Sequence, residues 1–239
     1  QREDSAALKV GVMPTLDCLP LYVARQYHLF DSLGADIRLK GFTAQMDCDT
    51  ALAGGSVEGS VTALVRGQRL IAQGISLTYV TATDAYWQLI TNRNARIKQL
   101  KQLYDKMLAM TRYSATDLLG DKAVDSVKLQ TERVFRVQVN DVNVRKEMMI
   151  NNEMDAALMT EPQATAIRLA HGKVLMDSRQ KGIRLGAIAF RTDVVRDKTR
   201  RKQMDVFRRA YNMACDSINK YGVRHFSHLI ADYCKVKQS

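Results

Sequence analysis

LKVGVMPTLDCLPLYVARQYHLF, residues Leu8 to Phe30, is the stretch whose reading decides the fold. An apolar run from Leu8 to Met13 stops at Pro14, and a short turn follows, Thr15-Leu16-Asp17-Cys18. Pro20 then opens an amphipathic segment with Leu21, Ala24 and Tyr27 at helical spacing. Strand, turn and helix in that order open an α/β unit. The turn is not a glycine-rich phosphate loop. It offers short polar groups and a helix N-terminus, whose free N–H groups carry about half a positive charge.

Working outward, strands and helices alternate. ADIRLKGF reads as a strand, AQMDCDTALAGG as a helix closed by Gly54-Gly55, VEGSVT as a strand and ALVRGQRLIAQG as a helix. SLTYVTAT and YWQLITN follow as two strands in close succession, which predicts an antiparallel excursion. The pattern restarts around Asn92-Arg93-Asn94. There IKQLKQLYD is a short helix, KMLAMT a strand, YSATDLLGDKAV a helix, VFRVQV a strand, NVRKEMMINN a helix and MDAALM a strand. PQATAIRLAHG is a helix with proline in its first turn, KVLMDS a strand, and IRLGAIAF a strand feeding a long helix from Lys198 to Tyr221. The fold class is α/β, with mainly parallel sheets covered by helices on both faces and organised as two lobes around a ligand cleft.

Composition narrows the function. In 239 residues the apolar fraction is 46%, ordinary for a globular chain, and no apolar run is long enough to span a membrane. The first residues, QREDSAA, are polar and fit the stub left when a leader is removed. A net charge of +11 favours anionic partners. Its dense focus, RTDVVRDKTRRKQMDVFRRA, carries the stripe Met204, Phe207, Ala210, Tyr211 and Ala214, so the charges read as the solvated side of an amphipathic helix, not a nucleic-acid surface. Cys18, Cys48, Cys215 and Cys234 lack zinc-ribbon spacing, and His225 with His228 lacks further ligands, so no metal is expected. A Cys215–Cys234 bridge, or less readily Cys18–Cys48 at the cleft mouth, remains open to an oxidising compartment. GxGxxG, GxxxxGK[ST] and GxSxG are all absent, and no cofactor is expected.

What the strand ends carry instead is a set of hydroxyls, amides and helix starts. Any one hydroxyl there reads as an N-cap; a ligand site rests on the set converging. The candidates are Pro14, Thr15, Leu16 and Asp17, then Phe42, Thr43 and Gln45, then Thr62 and Thr81. In the second half they are Arg112, Tyr113, Ser114, Asn140, Arg145, Thr160 and Glu161. Arg112 directly follows its strand. Arg145 lies in the first turn of its helix, where a cation opposes the dipole and so suggests service to a ligand. Tyr22, Phe42, Tyr86, Trp87 and Tyr113 are aromatics available to stack on a planar ring. Asp17, Glu161 and His28 are too scattered in type to make an acid–base set, so no enzyme is expected.

These residues resemble the periplasmic solute-binding proteins of nitrate, sulfonate and taurine uptake, a group that includes thiamine-precursor-binding, NMT1-like relatives. The resemblance runs through Leu8–Phe30, through IKQLKQLYDKMLAMTRYSATDLL, through NNEMDAALMTEPQATAI and through LGAIAFRTDVV with FRRAYNMACDSIN. Asn152 stands where the group usually has glycine, a tolerable change because Asn also accepts left-handed geometry. The resemblance implies a type II periplasmic-binding fold, with lobe one at 1–92 plus 183–239 and lobe two at 93–182. The chain would cross near Ile90–Arg93 and return near Gly182–Gly186, and a ligand would be bound by lobe closure. It implies a monomeric, extracytoplasmic receptor, periplasmic or membrane-anchored, that serves the permease and ATPase of an ABC importer. The solute would be small and anionic or heteroaromatic. Two alternatives share the fold: an enzyme like a thiamine-pyrimidine synthase or a menaquinone-pathway dehydratase, and the sensing domain of a transcription regulator.

Overall fold

The computed structural model describes residues 2–235. Its strands are β1 (Leu8–Val12), β2 (Ile37–Gly41), β3 (Gly59–Ala63), β4 (Leu77–Ala82), β5 (Gln88–Thr91), β6 (Lys106–Met110), β7 (Val134–Gln138), β8 (Ala156–Met159), β9 (Lys173–Asp177) and β10 (Gly186–Arg191). Its helices are α1 (Arg2–Ala6), α2 (Leu19–Gln26), α3 (Leu29–Ser32), α4 (Gln45–Gly54), α5 (Leu64–Ala72), α6 (Ala115–Ser126), α7 (Val142–Ile150), α8 (Gln163–Leu169), α9 (Thr192–Arg196), α10 (Arg201–Tyr221) and α11 (Ser227–Cys234). They divide into two units, the first comprising residues 1–62, 67–83 and 187–239, and the second 63–66 and 84–186.

The first unit holds a sheet in the order β2-β1-β3-β10-β4. β1 pairs in parallel with β2 and β3, and β10 pairs antiparallel with β4. Every residue of β1 and of β3 is buried, as continuous apolar runs in a covered sheet require. α10 lays Met204, Phe207, Ala210, Tyr211 and Ala214 into the core, with the Phe207 ring 5.1 Å from that of Phe190. Gly59 makes that close approach possible, since a Cβ there would fall 2.5 Å from the Phe190 ring. Arg201, Lys202, Arg208 and Arg209 stay exposed, the solvated side expected of this helix.

The second unit holds the order β7-β6-β8-β5-β9. β6 pairs in parallel with β7 and β8, whereas β5 runs antiparallel to both of its neighbours, β8 and β9. One side of this sheet packs Leu89, Leu108, Leu119, Val134 and Leu158; the other packs Ile90, Ala109, Met149, Ala157 and Ile167. β5 supplies residues to both sides, which is why all four of its residues are buried.

That placement corrects one expectation. β4 and β5 are not a paired excursion, because they belong to different sheets. The chain changes unit at 62/63, 66/67, 83/84 and 186/187. The sheets are mixed in direction. A strand buried on both sides reads the same whichever sheet receives it, so local pattern could not assign β5. Two smaller differences concern helices. Leu100–Leu103 is a single 3-10 turn, and Lys198–Arg200 forms another ahead of α10, its start capped by the Asp197 side chain accepting from the Thr199 amide.

Candidate functional site

In the first unit, β1 ends in the turn read at the outset. Thr15 occupies the N-cap position of a 3-10 turn, Leu16–Cys18, which runs directly into α2 with Pro20 near its start. Pro14 is buried and Leu16 half-buried. The Thr15 hydroxyl donates to Asp17 Oδ1 at 2.5 Å, and the Cys18 amide donates to the Thr15 carbonyl at 3.1 Å. Cys18 Sγ accepts the Met13 amide at 3.4 Å, and the Tyr22 hydroxyl donates to the Met13 carbonyl. Burial raises the Asp17 carboxyl above its ordinary value, against the opposing hydrogen bonds from Thr15 and Cys18. Among the described residues, Asp17 acts on the titration of Cys18, Tyr22, Cys48, Tyr211 and Cys234, none of them a cation.

The neighbouring turns contribute less. Thr43 is exposed, while Phe42 packs against the cluster of Leu52, Val57 and Leu70. Gln45 Nε2 donates to Asp49 and to the buried Thr62 hydroxyl, both at 3.3 Å. The Thr81 hydroxyl donates to the Ala82 carbonyl. All four cysteines are free, so neither of the bridges left open above is formed. Cys18 and Cys48 are fully buried and not at a rim; burial pushes the Cys48 thiol up to about 12 although the Ser60 hydroxyl, 2.8 Å away, opposes the shift. Tyr22 is likewise committed, its ring stacked on Tyr233 at 4.3 Å.

In the second unit the turn after β6 is rigidly built. Ser114 caps α6 by accepting the Thr116 amide, and its hydroxyl donates to the Thr111 carbonyl at 2.6 Å. Thr116 Oγ1 accepts the Thr111 amide at 3.0 Å. Both hydroxyls are buried and spent on the turn itself, so what the turn displays is Arg112 and Tyr113, both exposed. Tyr113 takes a left-handed backbone with φ +57°, and its amide donates to Asp117 Oδ2 at 2.9 Å.

Arg145 is not a solvated surface residue, and its guanidinium is engaged by protein oxygens. It is 3% exposed, and its guanidinium donates to the Val139 carbonyl at 2.9 Å, the Leu158 carbonyl at 2.9 Å and Thr111 Oγ1 at 2.8 Å. Burial lowers it to about 10, with Asp141 opposing. Asp141, the N-cap of α7, accepts from the Asn143 and Val144 amides, and Asn140 accepts from Gln138.

Glu161 is also held from within. Its Oε1 takes the Tyr86 hydroxyl at 2.9 Å and Arg168 at 2.7 Å, and its Oε2 takes the Thr165 amide and hydroxyl at 3.0 and 2.6 Å. Burial acts to raise this carboxyl, but the hydrogen bonds from Thr165 and Arg168 outweigh it and hold it low. Arg179 lies 3.6 Å over the Tyr86 ring and pairs with Asp177, and the Thr160 hydroxyl donates to the Tyr86 carbonyl at 2.7 Å. Trp87, taken from the sequence as a stacking surface, is part of the core. Some of the expected residues gather at the turns Pro14–Cys18 and Thr111–Thr116 and at the Tyr86–Glu161 cluster, whereas Phe42, Thr43, Gln45, Thr62, Thr81 and Asn140 lie apart from these.

Sequence reading missed Arg66, which donates to the Arg112 and Tyr113 carbonyls, and the Arg168–Arg179 partners of the Glu161 cluster. A buried arginine in an amphipathic helix is spelled like a solvated one; only the tertiary contacts separate them. Among the described residues no group of three or more His, Cys, Asp or Glu could hold a metal ion, and no helix is long and apolar enough to cross a membrane. Asn152 stands at φ +62°, the left-handed geometry expected where glycine is usual.

Solved structures share this fold at low identity. The alkanesulfonate-binding protein SsuA of Xanthomonas axonopodis pv. citri, bound to MOPS, superposes with a TM-score of 0.80 at 16% identity, over 98% of this chain and 81% of its own. The ligand-binding component of an ABC-type import system from Staphylococcus aureus gives 0.80 at 15%, over 97% and 80%. The periplasmic nitrate-binding protein NrtA of Synechocystis PCC 6803 gives 0.81 at 15%, over 97% and 68%. No curated protein matches the chain in sequence. The family model described as NMT1/THI5 like matches residues 15–221, from the turn after β1 to the last residue of α10, and the chain belongs to that family.

Proposed function

We propose that this protein is the solute-binding receptor of an ABC importer, taking a small anionic or heteroaromatic ligand by lobe closure. The observation that carries the ligand class is the turn after β6. It displays an exposed guanidinium, Arg112, beside an exposed aromatic ring, Tyr113, at the start of α6. A cation, a π-face and a helix N-terminus together favour an electron-rich planar or anionic group. Family membership and the importer components among the structural neighbours support the receptor role. On this reading the protein works outside the cytoplasm as a monomer, and its macromolecular partners are a permease and its ATPase.

In the first unit, the Asp17 turn adds a carboxylate in neutral surroundings, which accepts N–H donors. Arg145 serves this reading through its bond to Thr111 at the base of the displaying turn. The test is a thermal-shift screen of MOPS, nitrate, an aminopyrimidine and FMN on wild type and Arg112→Ala. Stabilisation by one of these compounds that weakens in the variant is expected. Stabilisation only by a simple cation, untouched by Arg112→Ala, sinks the ligand class, and catalytic formation of a product from a bound compound sinks the receptor role.

A further inference from the structure

Arg66 is a buried arginine on α5 whose guanidinium ends at the carbonyls of Arg112 and Tyr113, 3.2 and 3.3 Å away. Its base is fixed. Ala63, just ahead of the helix, is part of the second unit's core, and the Leu64 amide donates to the Leu185 carbonyl at 2.7 Å. The turn that it reaches contains a residue in a costly conformation. For a residue with a Cβ, the left-handed region costs about 1–2 kcal/mol, and Tyr113 lies there at φ +57°. Such a conformation persists only where its surroundings over-determine it. Here Asp117 holds the Tyr113 amide, Arg66 holds the carbonyls on either side of that residue, and Ser114 and Thr116 close the turn from within.

We propose that Arg66 is a positioning residue, which clamps the 111–116 turn in the strained form that displays Arg112 and Tyr113 as a preset cation–aromatic pair. The proposal rests on the receptor reading for its consequence, since the pair serves an anionic or electron-rich ring only while both side chains keep their directions. The physical logic is pre-organisation: fixing the turn before the ligand arrives removes an ordering cost from binding. Both bonds leave one nitrogen, Nη1, which the rigid planar guanidinium holds in place; the shorter side chain of lysine ends in a freely rotating ammonium, so it should restore the clamp only in part.

The experiment is amide hydrogen exchange on the full chain, comparing wild type with Arg66→Met, Arg66→Lys and the double variant Arg66→Met/Tyr113→Gly. Loss of charged hydrogen bonds to the turn should raise exchange at residues 113–117 about tenfold in Arg66→Met, with Leu108 and Ala109 in β6 unchanged. Arg66→Lys should fall between. Glycine at 113 takes positive φ without strain, so the double variant should recover protection, a rescue that a merely space-filling arginine does not predict. Unchanged exchange at 113–117 overturns the proposal, as does equal loss across β6 in both Met and Lys variants, or failure of the glycine rescue. MOPS and an aminopyrimidine, tested on the same proteins, report on the receptor reading separately: if neither binds wild type, that reading suffers while the exchange result still decides the role of Arg66.

Discussion

Asp17 and Arg145 show how little a residue's type says until its surroundings are known. Both are charged groups placed at the start of a helix pattern. Arg145 has three oxygen acceptors for its guanidinium, whereas Asp17 has a hydroxyl, a thiol and backbone amides but, among the described residues, no cation. For Asp17 the folded protein raises the carboxyl above its unfolded value, so the folded state holds the proton more tightly. The stability that this proton brings is present in full below the unfolded value near 3.8 and is lost as pH rises through the folded one. At neutral pH the ionised group is therefore a cost that the ligand-free protein bears. Asp17→Asn keeps the acceptor for Thr15 and removes the charge. It should raise the melting temperature at pH 7 by about 2–4 °C, the shift that about 1 kcal/mol gives in a chain of this size. The gain should shrink as pH falls toward 4. Differential scanning fluorimetry across pH 4–8 checks it, and a lower melting temperature for the variant at pH 7 would show that the carboxylate is structural.

At the scale of elements, Arg145 acts as a fastener for three strands. Its donors reach Val139 just past β7, Leu158 in β8 and Thr111 just past β6, so one side chain on α7 ties three strands at the ends that lead into the candidate turns. Leaving buried acceptors without donors costs about 1–3 kcal/mol each, while removing a buried cation returns some of that. Arg145→Met, which keeps the apolar stem, should destabilise the second unit by about 3 kcal/mol net. Urea unfolding followed by tryptophan fluorescence is a direct probe, because Trp87 is the chain's one tryptophan and lies in that unit's core. A change below about 1 kcal/mol would mean that water replaces the guanidinium at little cost.

At the scale of the molecule, each unit has its own sheet and its own core; besides the short excursion at 63–66, the chain leaves the first unit after β4 and re-enters it at β10. Those two strands are antiparallel neighbours with Ala82 opposite Ala187, so the exit and re-entry points are adjacent. Replacing residues 84–185 with Asn-Gly should therefore close β4 and β10 as an ordinary hairpin, since two-residue turns of that type match the strand twist. The resulting fragment keeps the full order β2-β1-β3-β10-β4 and should melt as one cooperative transition with native-like circular dichroism. A molten or aggregating fragment would show that the first unit depends on the second for its stability.

The sequence by itself determined the alternation of strands and helices, the buried stripe of α10, the turn after β1 and the left-handed place of Asn152, because each of these is written in local period, cap or turn chemistry. It also carried the family resemblance through motifs spread along the chain. Only the tertiary structure decided which sheet receives β5, whether Arg145 faces water or carbonyls, and whether Glu161 is free or saturated. The physical reason is the same in each case. A strand buried on both faces and a charged side chain on a helix have the same local spelling whatever they meet, and what they meet lies tens of residues away, as Arg66 lies from Tyr113 and Glu161 from Tyr86.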